Sequence, residues 1–180
     1  IYVASSTAST DFPITAGCFQ PSNGGMQDGC VFKFNPTITT LLYSSYIGGS
    51  ANDAAYNLAL DALNGLYLTG GTESSNFPTT PGALITSYGG NIDGFVTHIS
   101  PSANTILQSS YIGTSLYDQS YFVQVDGDND VYLYGQCSGN YPITPGTYSN
   151  SNSGQFIHKL DSVLGATFFS TEFGTGSGNP

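Results

Sequence analysis

The chain has no arginine and no tryptophan, and its only lysines are Lys33 and Lys159. Asp, Glu, Lys and Arg together make up 8% of its residues, against roughly a quarter in an ordinary domain. The formal net charge is −10. Nucleic-acid binding needs cations to replace phosphate counterions, and this chain has almost none. The same shortage argues against an anionic membrane surface. No apolar run approaches the length of a membrane-spanning helix, so no membrane insertion is expected. With so few ions, Ser, Thr, Asn, Gly and Tyr must solvate the surface, a composition typical of exported proteins. There is no initiator Met and no signal peptide. Ile1-Tyr2-Val3-Ala4 reads as the middle of a strand, so the chain is expected to be cut from a longer one.

Cysteine is scarce too. Cys18, Cys30 and Cys137 form no CxxC pair, which argues against a zinc site. An oxidising compartment would permit a Cys18–Cys30 disulfide; otherwise all three are small buried thiols. What the chain does have is 13 Tyr, 11 Phe and 23 Gly. That mixture suits strands joined by many turns.

An internal repeat organises the sequence. Tyr2, Tyr67 and Tyr132 are evenly spaced, each in a strand-like run. Phe12-Pro13-Ile14-Thr15 returns as Phe77-Pro78-Thr79-Thr80 and as Tyr141-Pro142-Ile143-Thr144. Asp28-Gly29 returns as Asp93-Gly94, and Ser44-Ser45-Tyr46-Ile47-Gly48 as Ser109-Ser110-Tyr111-Ile112-Gly113. Each period holds four strand-like runs separated by Asn-Gly, Asp-Gly or Pro-Ser turn signals. Strands are expected near 1–5, 29–34, 41–47, 55–61, 66–70, 94–100, 105–112, 120–126, 131–135, 155–160 and 166–173. Four antiparallel strands per repeat is the unit of a β-propeller, which closes with roughly 4–8 blades. The expected fold is therefore all-β: a partial β-propeller of four-stranded antiparallel blades, just under three in number. They are 1–53, lacking its first strand, 54–118, complete, and 119–180, all belonging to one larger propeller.

The motifs Asp93-Gly94-Phe95-Val96, Ser109-Ser110-Tyr111-Ile112-Gly113, Gly65-Leu66-Tyr67-Leu68-Thr69-Gly70 and Asn76-Phe77-Pro78-Thr79-Thr80-Pro81-Gly82-Ala83 carry a resemblance. They look like the bacterial β-propeller repeat family abbreviated SBBP, over nearly the whole chain. The last unit departs most, having no Asp-Gly before Phe156 and a shorter insert. The resemblance implies a secreted or surface-anchored bacterial protein. In Bacteroidetes-type bacteria such repeats occur in large exported proteins with adhesion modules or a gliding-motility-associated signal for type 9 secretion. Type 9 secretion components are thus implied as partners by analogy alone.

Several residues invite a chemical role. Asp126-Gly127-Asp128-Asn129-Asp130 resembles the start of a calcium loop. The sixth and twelfth positions are Val131 and Cys137, which excludes an EF-hand. Asp126, Asp128 and Asp130 remain either a cation site or an ordinary hairpin turn. Lys33, His98 and Lys159 recur at one place in successive units. A catalytic base would occur once, so stems laid along apolar surface are expected. His158 is unmatched and expected to be exposed. Gly174-Thr175-Gly176-Ser177-Gly178 lacks the spacing of a dinucleotide fingerprint. Tyr88, Tyr117, Tyr121, Tyr141 and Tyr148 either stack sugars or fill the packing between blades. Asp161-Ser162-Val163 resembles a Bacteroidetes O-glycosylation triplet, with Ser162 as acceptor in a turn.

No nucleophile elbow, phosphate loop or metalloprotease motif is present, so no cofactor and no catalysis are expected. The leading expectation is a structural and interaction module that contacts proteins, surface glycans or the rest of its propeller. The alternatives are a carbohydrate-binding propeller and a glycan-degrading enzyme on the same scaffold. Length is concentrated at one end of the strands, in inserts 6–28, 71–93 and 136–154. Long loops on a rigid scaffold carry binding. The insert motif Phe/Tyr-Pro-x-Thr reads as a structural plug. The variable parts, with Asn23, Gly25 and Gln27, then Tyr88, Asn91 and Ile92, then Asn150 and Asn152, are the candidate partner contacts.

Overall fold

The computed structural model describes residues 1–150 and 152–175. Ser151, inside the third insert, and Gly176 onward lie outside the described residues, so the glycine run is seen only to Thr175. Eleven strands and no helix are present among the described residues. They are β1 (Tyr2–Thr7), β2 (Asp28–Phe34), β3 (Leu41–Ile47), β4 (Asp53–Leu60), β5 (Leu66–Thr72), β6 (Asp93–Ile99), β7 (Ile106–Ile112), β8 (Asp118–Val125), β9 (Val131–Cys137), β10 (Gln155–Leu160) and β11 (Thr167–Phe173). All eleven expected runs are strands, with bounds close to those expected. They form three open antiparallel sheets, β1-β2-β3, β4-β5-β6-β7 and β8-β9-β10-β11.

The repeat in sequence is a repeat in register. Tyr2 faces Lys33, Tyr67 faces His98, and Tyr132 faces Lys159 across neighbouring strands. β4 and β8 each carry a bulge at the same place, between Ala55 and Asn57 and between Ser120 and Phe122. Beside each bulge stands a glycine of the next strand. A Cβ on Gly70 would lie 1.9 Å from the Ala54 carbonyl oxygen, and one on Gly135 would lie 2.1 Å from that of Gln119. The bulge and the glycine thus require each other.

Sheet packs on sheet by one repeated step. β1 and β2 lie against β4, as β5 and β6 lie against β8. Alternation turns one side of each strand toward the neighbouring sheet. Val31 and Ile47 share an apolar cluster with Leu68 and Phe95 of the next sheet and Phe77 of its insert. Their counterparts one repeat later, Val96 and Ile112, share one with Leu133, Tyr141 and Phe156. Both clusters are rich in buried aromatic rings, where hydrophobic burial contributes most to stability.

The inserts do not simply crown one end of the strands. Each descends along the outer edge of the last strand of its own sheet. Thr15 N–H donates to Ser44 O at 3.2 Å, Thr80 N–H to Ser109 O at 3.0 Å, and Thr144 N–H to Ser170 O at 3.0 Å. Tyr46 and Tyr111 N–H donate back to Gln20 O and Ile85 O. The inserts therefore satisfy backbone groups that an exposed edge would offer to other chains. The second insert reaches far enough for Leu84 N–H to meet Leu164 O of the next sheet at 2.8 Å.

Cys18, Cys30 and Cys137 are free thiols, so the Cys18–Cys30 disulfide is not made. Cys18 packs into the cluster that holds Val31. Cys30 precedes Val31 on β2 and so points to the opposite face.

Candidate functional site

The end of the sheets that bears the inserts and the sheet-to-sheet connections is the place to look for a site. The antiparallel order brings 8–27, 73–92 and 138–154 to this end, with connections 48–52 and 113–117. Only short hairpin turns occupy the other.

Four aspartates shape it. Asp28, Asp53, Asp93 and Asp118 each open a strand, and each is at most 2% exposed. Each carboxylate accepts a backbone N–H from four positions upstream. The donors are Gly24 at 2.8 Å, Gly49 at 2.7 Å, Gly89 at 2.6 Å and Thr114 at 2.6 Å. The side chain thus closes a short loop on itself, as Asp and Asn do in turns. Asp53 is fully bound, since Thr72 and Ser74 hydroxyls also donate to it. The second oxygen of Asp28, Asp93 and Asp118 has no hydrogen-bond partner. Burial pushes Asp93 and Asp118 up to about 6, and the charge of Asp118 adds to the rise at Asp93. Burial raises Asp28 and Asp53 as well, and Asp53 adds to the rise at Asp28. In the sequence, Asp-Gly recurs as a turn signal; nothing local announces that these carboxylates are buried.

The connections and inserts meet at a seam. Asp53 N–H donates to Gln27 O, and Asp118 N–H to Ile92 O, both at 2.7 Å. Gln27 and Ile92 therefore bind their own fold. Gly25 lies where a Cβ would stand 2.1 Å from Ala51 O. Asn23 accepts from Gly25 N–H at 2.9 Å, and the Tyr88 hydroxyl donates to Asn91 O. Asn91, Asn150 and Asn152 are the exposed members of the candidate set. Asn152 N–H is nonetheless held by the Glu172 carboxylate at 3.0 Å.

The tyrosines divide. Tyr141 is 4% exposed and stacks on Phe156 with centroids 4.1 Å apart, so it fills the core and cannot stack a ligand. Tyr148 is 81% exposed. Tyr121 meets Tyr117 and also Tyr56, which the motif reading missed: the Tyr56 and Tyr121 rings lie 5.6 Å apart. Tyr121 also donates to Gln136 Oε1 at 2.9 Å. Partly exposed aromatic faces beside an amide group form a surface suited to a sugar ring.

At the opposite end the acidic run is a turn. Asp126 Oδ1 accepts the N–H groups of Asp128 and Asp130, both at 3.0 Å. Lys159 Nζ lies 3.0 Å from Asp126 Oδ2 and 2.9 Å from Asp130 Oδ2. The ammonium stands where a cation would, and Asp128 is exposed, so the calcium-like candidate is corrected accordingly. Among the described residues no three His, Cys, Asp or Glu side chains converge on a metal-sized site. Lys159 also lies 4.8 Å over the Tyr132 ring, and Lys33 lies 4.5 Å over Tyr2. His98 stacks on Tyr67 at 4.0 Å and pairs with Asp61 at 3.0 Å.

His158 is 4% exposed, not on the surface as expected. Its ring bridges the Tyr141 and Thr167 hydroxyls, both at 2.8 Å, and burial lowers its pKa to about 4. Tyr141 stands where the other inserts carry Phe12 and Phe77, so its added hydroxyl supplies the partner that makes a buried imidazole tolerable. Ser162 sits half-buried in the turn after β10, where its carbonyl accepts the Tyr67 hydroxyl at 2.6 Å. No helix among the described residues is long and apolar enough to cross a membrane. The chain matches no family model and no curated protein.

Proposed function

We propose that the three sheets are successive blades of a β-propeller, and that the chain is a non-enzymatic structural and interaction segment of an exported bacterial surface protein. The observation that carries this is the repeated step between sheets. The same positions of successive repeats form both sheet-to-sheet clusters. A fixed step applied again and again generates a ring or a solenoid, and four-stranded units favour the ring. The acids support the non-enzymatic reading. Asp28, Asp53, Asp93 and Asp118 close loops, while Asp61, Asp126 and Asp161 accept turn N–H groups. These are scaffold duties, repeated by unit, where a catalytic pair would occur once. The resemblance to SBBP repeats supports export and the adhesion or motility setting.

Solution scattering from a chain extended by further repeats tests the architecture. A closed disc is expected; a rod lengthening with each repeat would remove the propeller reading. A glycan-turnover panel tests the absence of catalysis, and sustained product release would overturn it.

The Tyr56, Tyr117 and Tyr121 cluster favours a second reading, carbohydrate binding. On a glycan array, Tyr56→Ala and Tyr121→Ala should each abolish any signal without lowering the melting temperature. Signal retained in both variants would dismiss this surface.

A further inference from the structure

We propose that the free edge of β1 receives a strand built like β4 and β8, ending in an aspartate that pairs with Lys33. The inference rests on the three sheets being copies of one four-strand unit, not on their closing into a ring.

Two of the copies show the complete arrangement. In each, a basic side chain on the third strand lies over a tyrosine on the second: His98 over Tyr67, and Lys159 over Tyr132. In each, an aspartate just past the end of the first strand completes the stack. Asp61 follows β4 and lies 3.0 Å from His98; Asp126 follows β8 and lies 3.0 Å from Lys159. The same carboxylate caps the turn into the second strand, through Gly65 N–H in one copy and Asp130 N–H in the other.

The first sheet has two of the three parts. Lys33 lies 4.5 Å over Tyr2, and Tyr2 faces Lys33 in the ladder. Among the described residues no carboxylate forms an ion pair with Lys33, although Lys159 and His98 each have one. Among the described residues β1 is hydrogen-bonded to β2 on one side only. Ser5 and Ser6 are exposed where Gly70 and Gly71, their counterparts in β5, are buried beside β4. The last-strand edge of each sheet is covered by an insert. A bare ladder edge in the second-strand position, beside an ammonium without a counter-ion in a chain of net charge −10, is complementary to a strand that brings a carboxylate.

The occupant is a segment outside residues 1–180 rather than a second copy. Each copy's own β4 and β8 are already paired within their sheets, so a copy could donate one only by dismantling a sheet. The occupant differs from β4 and β8 in one respect. Gly70 and Gly135 make room for the bulge carbonyl, but the counterpart in β1 is Ser5, which has a Cβ. The incoming strand therefore lacks the bulge beside Ser5 and matches β4 best at the Ile1–Ala4 end, next to Lys33.

The test is hydrogen exchange of the full chain with a peptide of sequence 57–65, which leaves out the bulge, raised to about 1 mM so that even a millimolar complex is populated. The peptide should slow exchange in Tyr2, Val3 and Ala4 severalfold and leave β9 unchanged. A peptide with Asp61→Lys should lose that protection with the native chain and regain it with the Lys33→Asp chain. No protection in Tyr2, Val3 and Ala4 at that concentration would overturn the proposal. Protection indifferent to the charge swap would overturn the aspartate–Lys33 pair. Protection that grows with chain concentration and needs no peptide would make the occupant a second copy, also against it. A rod in the scattering experiment would sink the ring while leaving this result intact, so the two failures are distinct.

Discussion

Phe77→Ala should lower the unfolding free energy by about 3–5 kcal/mol, the usual cost of emptying a buried aromatic site. Phe77 is 3% exposed and sits where the second insert meets two sheets. Its ring lies 4.4 Å from Phe95 and 6.1 Å from Tyr111. Its backbone N–H donates to the Tyr111 hydroxyl at 3.1 Å, and that hydroxyl donates to Ser74 O at 2.8 Å. Pro78 follows and fixes the chain on the far side. The surroundings are strand backbone and other rings, which relax poorly, so the cavity should persist. Phe12 is the internal control. It holds the equivalent place, and its N–H donates to Tyr46 in the same way at 3.0 Å. It is only half-buried, because among the described residues no sheet lies beyond it. Phe12→Ala should therefore cost clearly less. Urea unfolding of both variants at constant m-value checks this. Equal losses would mean that the insert, rather than the contact between sheets, sets the value.

That contrast separates what was legible in the sequence from what was not. Strands and turns were legible, because alternating apolar runs and Asn-Gly or Asp-Gly pairs are local signals. So were the plug residues, since Phe77 and Tyr141 repeat a motif and are buried as expected. Long-range choices were not. Asp28 and Asp93 stand in Asp-Gly pairs that announce a turn, yet both carboxylates are turned inward on their own loops. The pairing of the inserts along the last strands was not legible, because their hydrogen bonds run to strands far along the chain, as from Thr15 to Ser44 and from Thr80 to Ser109. His158 read as exposed because its counterparts in the ladder, Phe32 and Thr97, give no sign of a site for a buried imidazole. Its burial depends on the Tyr141 hydroxyl, which is distant in sequence and close in space. The calcium-like run failed for a similar reason: its counter-ion, Lys159, is 33 residues downstream of Asp126.

Stability should depend on pH with opposite signs in two variants. Asp93 and Asp118 ionise at about 6 in the folded chain, against an ordinary value of 3.8. For a carboxyl raised in this way, the stabilisation is fully present below the unfolded value. It is lost as pH rises through about 6. His158 is lowered from 6.5 to about 4. Its contribution is fully present above 6.5 and is lost as pH falls toward 4. Between about pH 7.5 and 5 these two effects oppose each other, and the native chain should change little. Removing one side exposes the other. In His158→Gln the carboxyls act unopposed, and acidification should stabilise the fold by about 2–3 kcal/mol, given roughly 1.4 kcal/mol for each tenfold change in proton affinity. In the Asp93→Asn, Asp118→Asn double variant the histidine is opposed only by the smaller rises at Asp28 and Asp53, and it dominates. The same change of pH should then destabilise the fold by about 2 kcal/mol. For a domain of this size, 1 kcal/mol moves the melting temperature by about 2–4 °C, so the two variants should diverge by about 10 °C or more at pH 5. Thermal melts at matched ionic strength read this directly. Parallel slopes in the two variants would show that these buried groups do not govern the acid response, and general relief of the negative net charge would then be the cause.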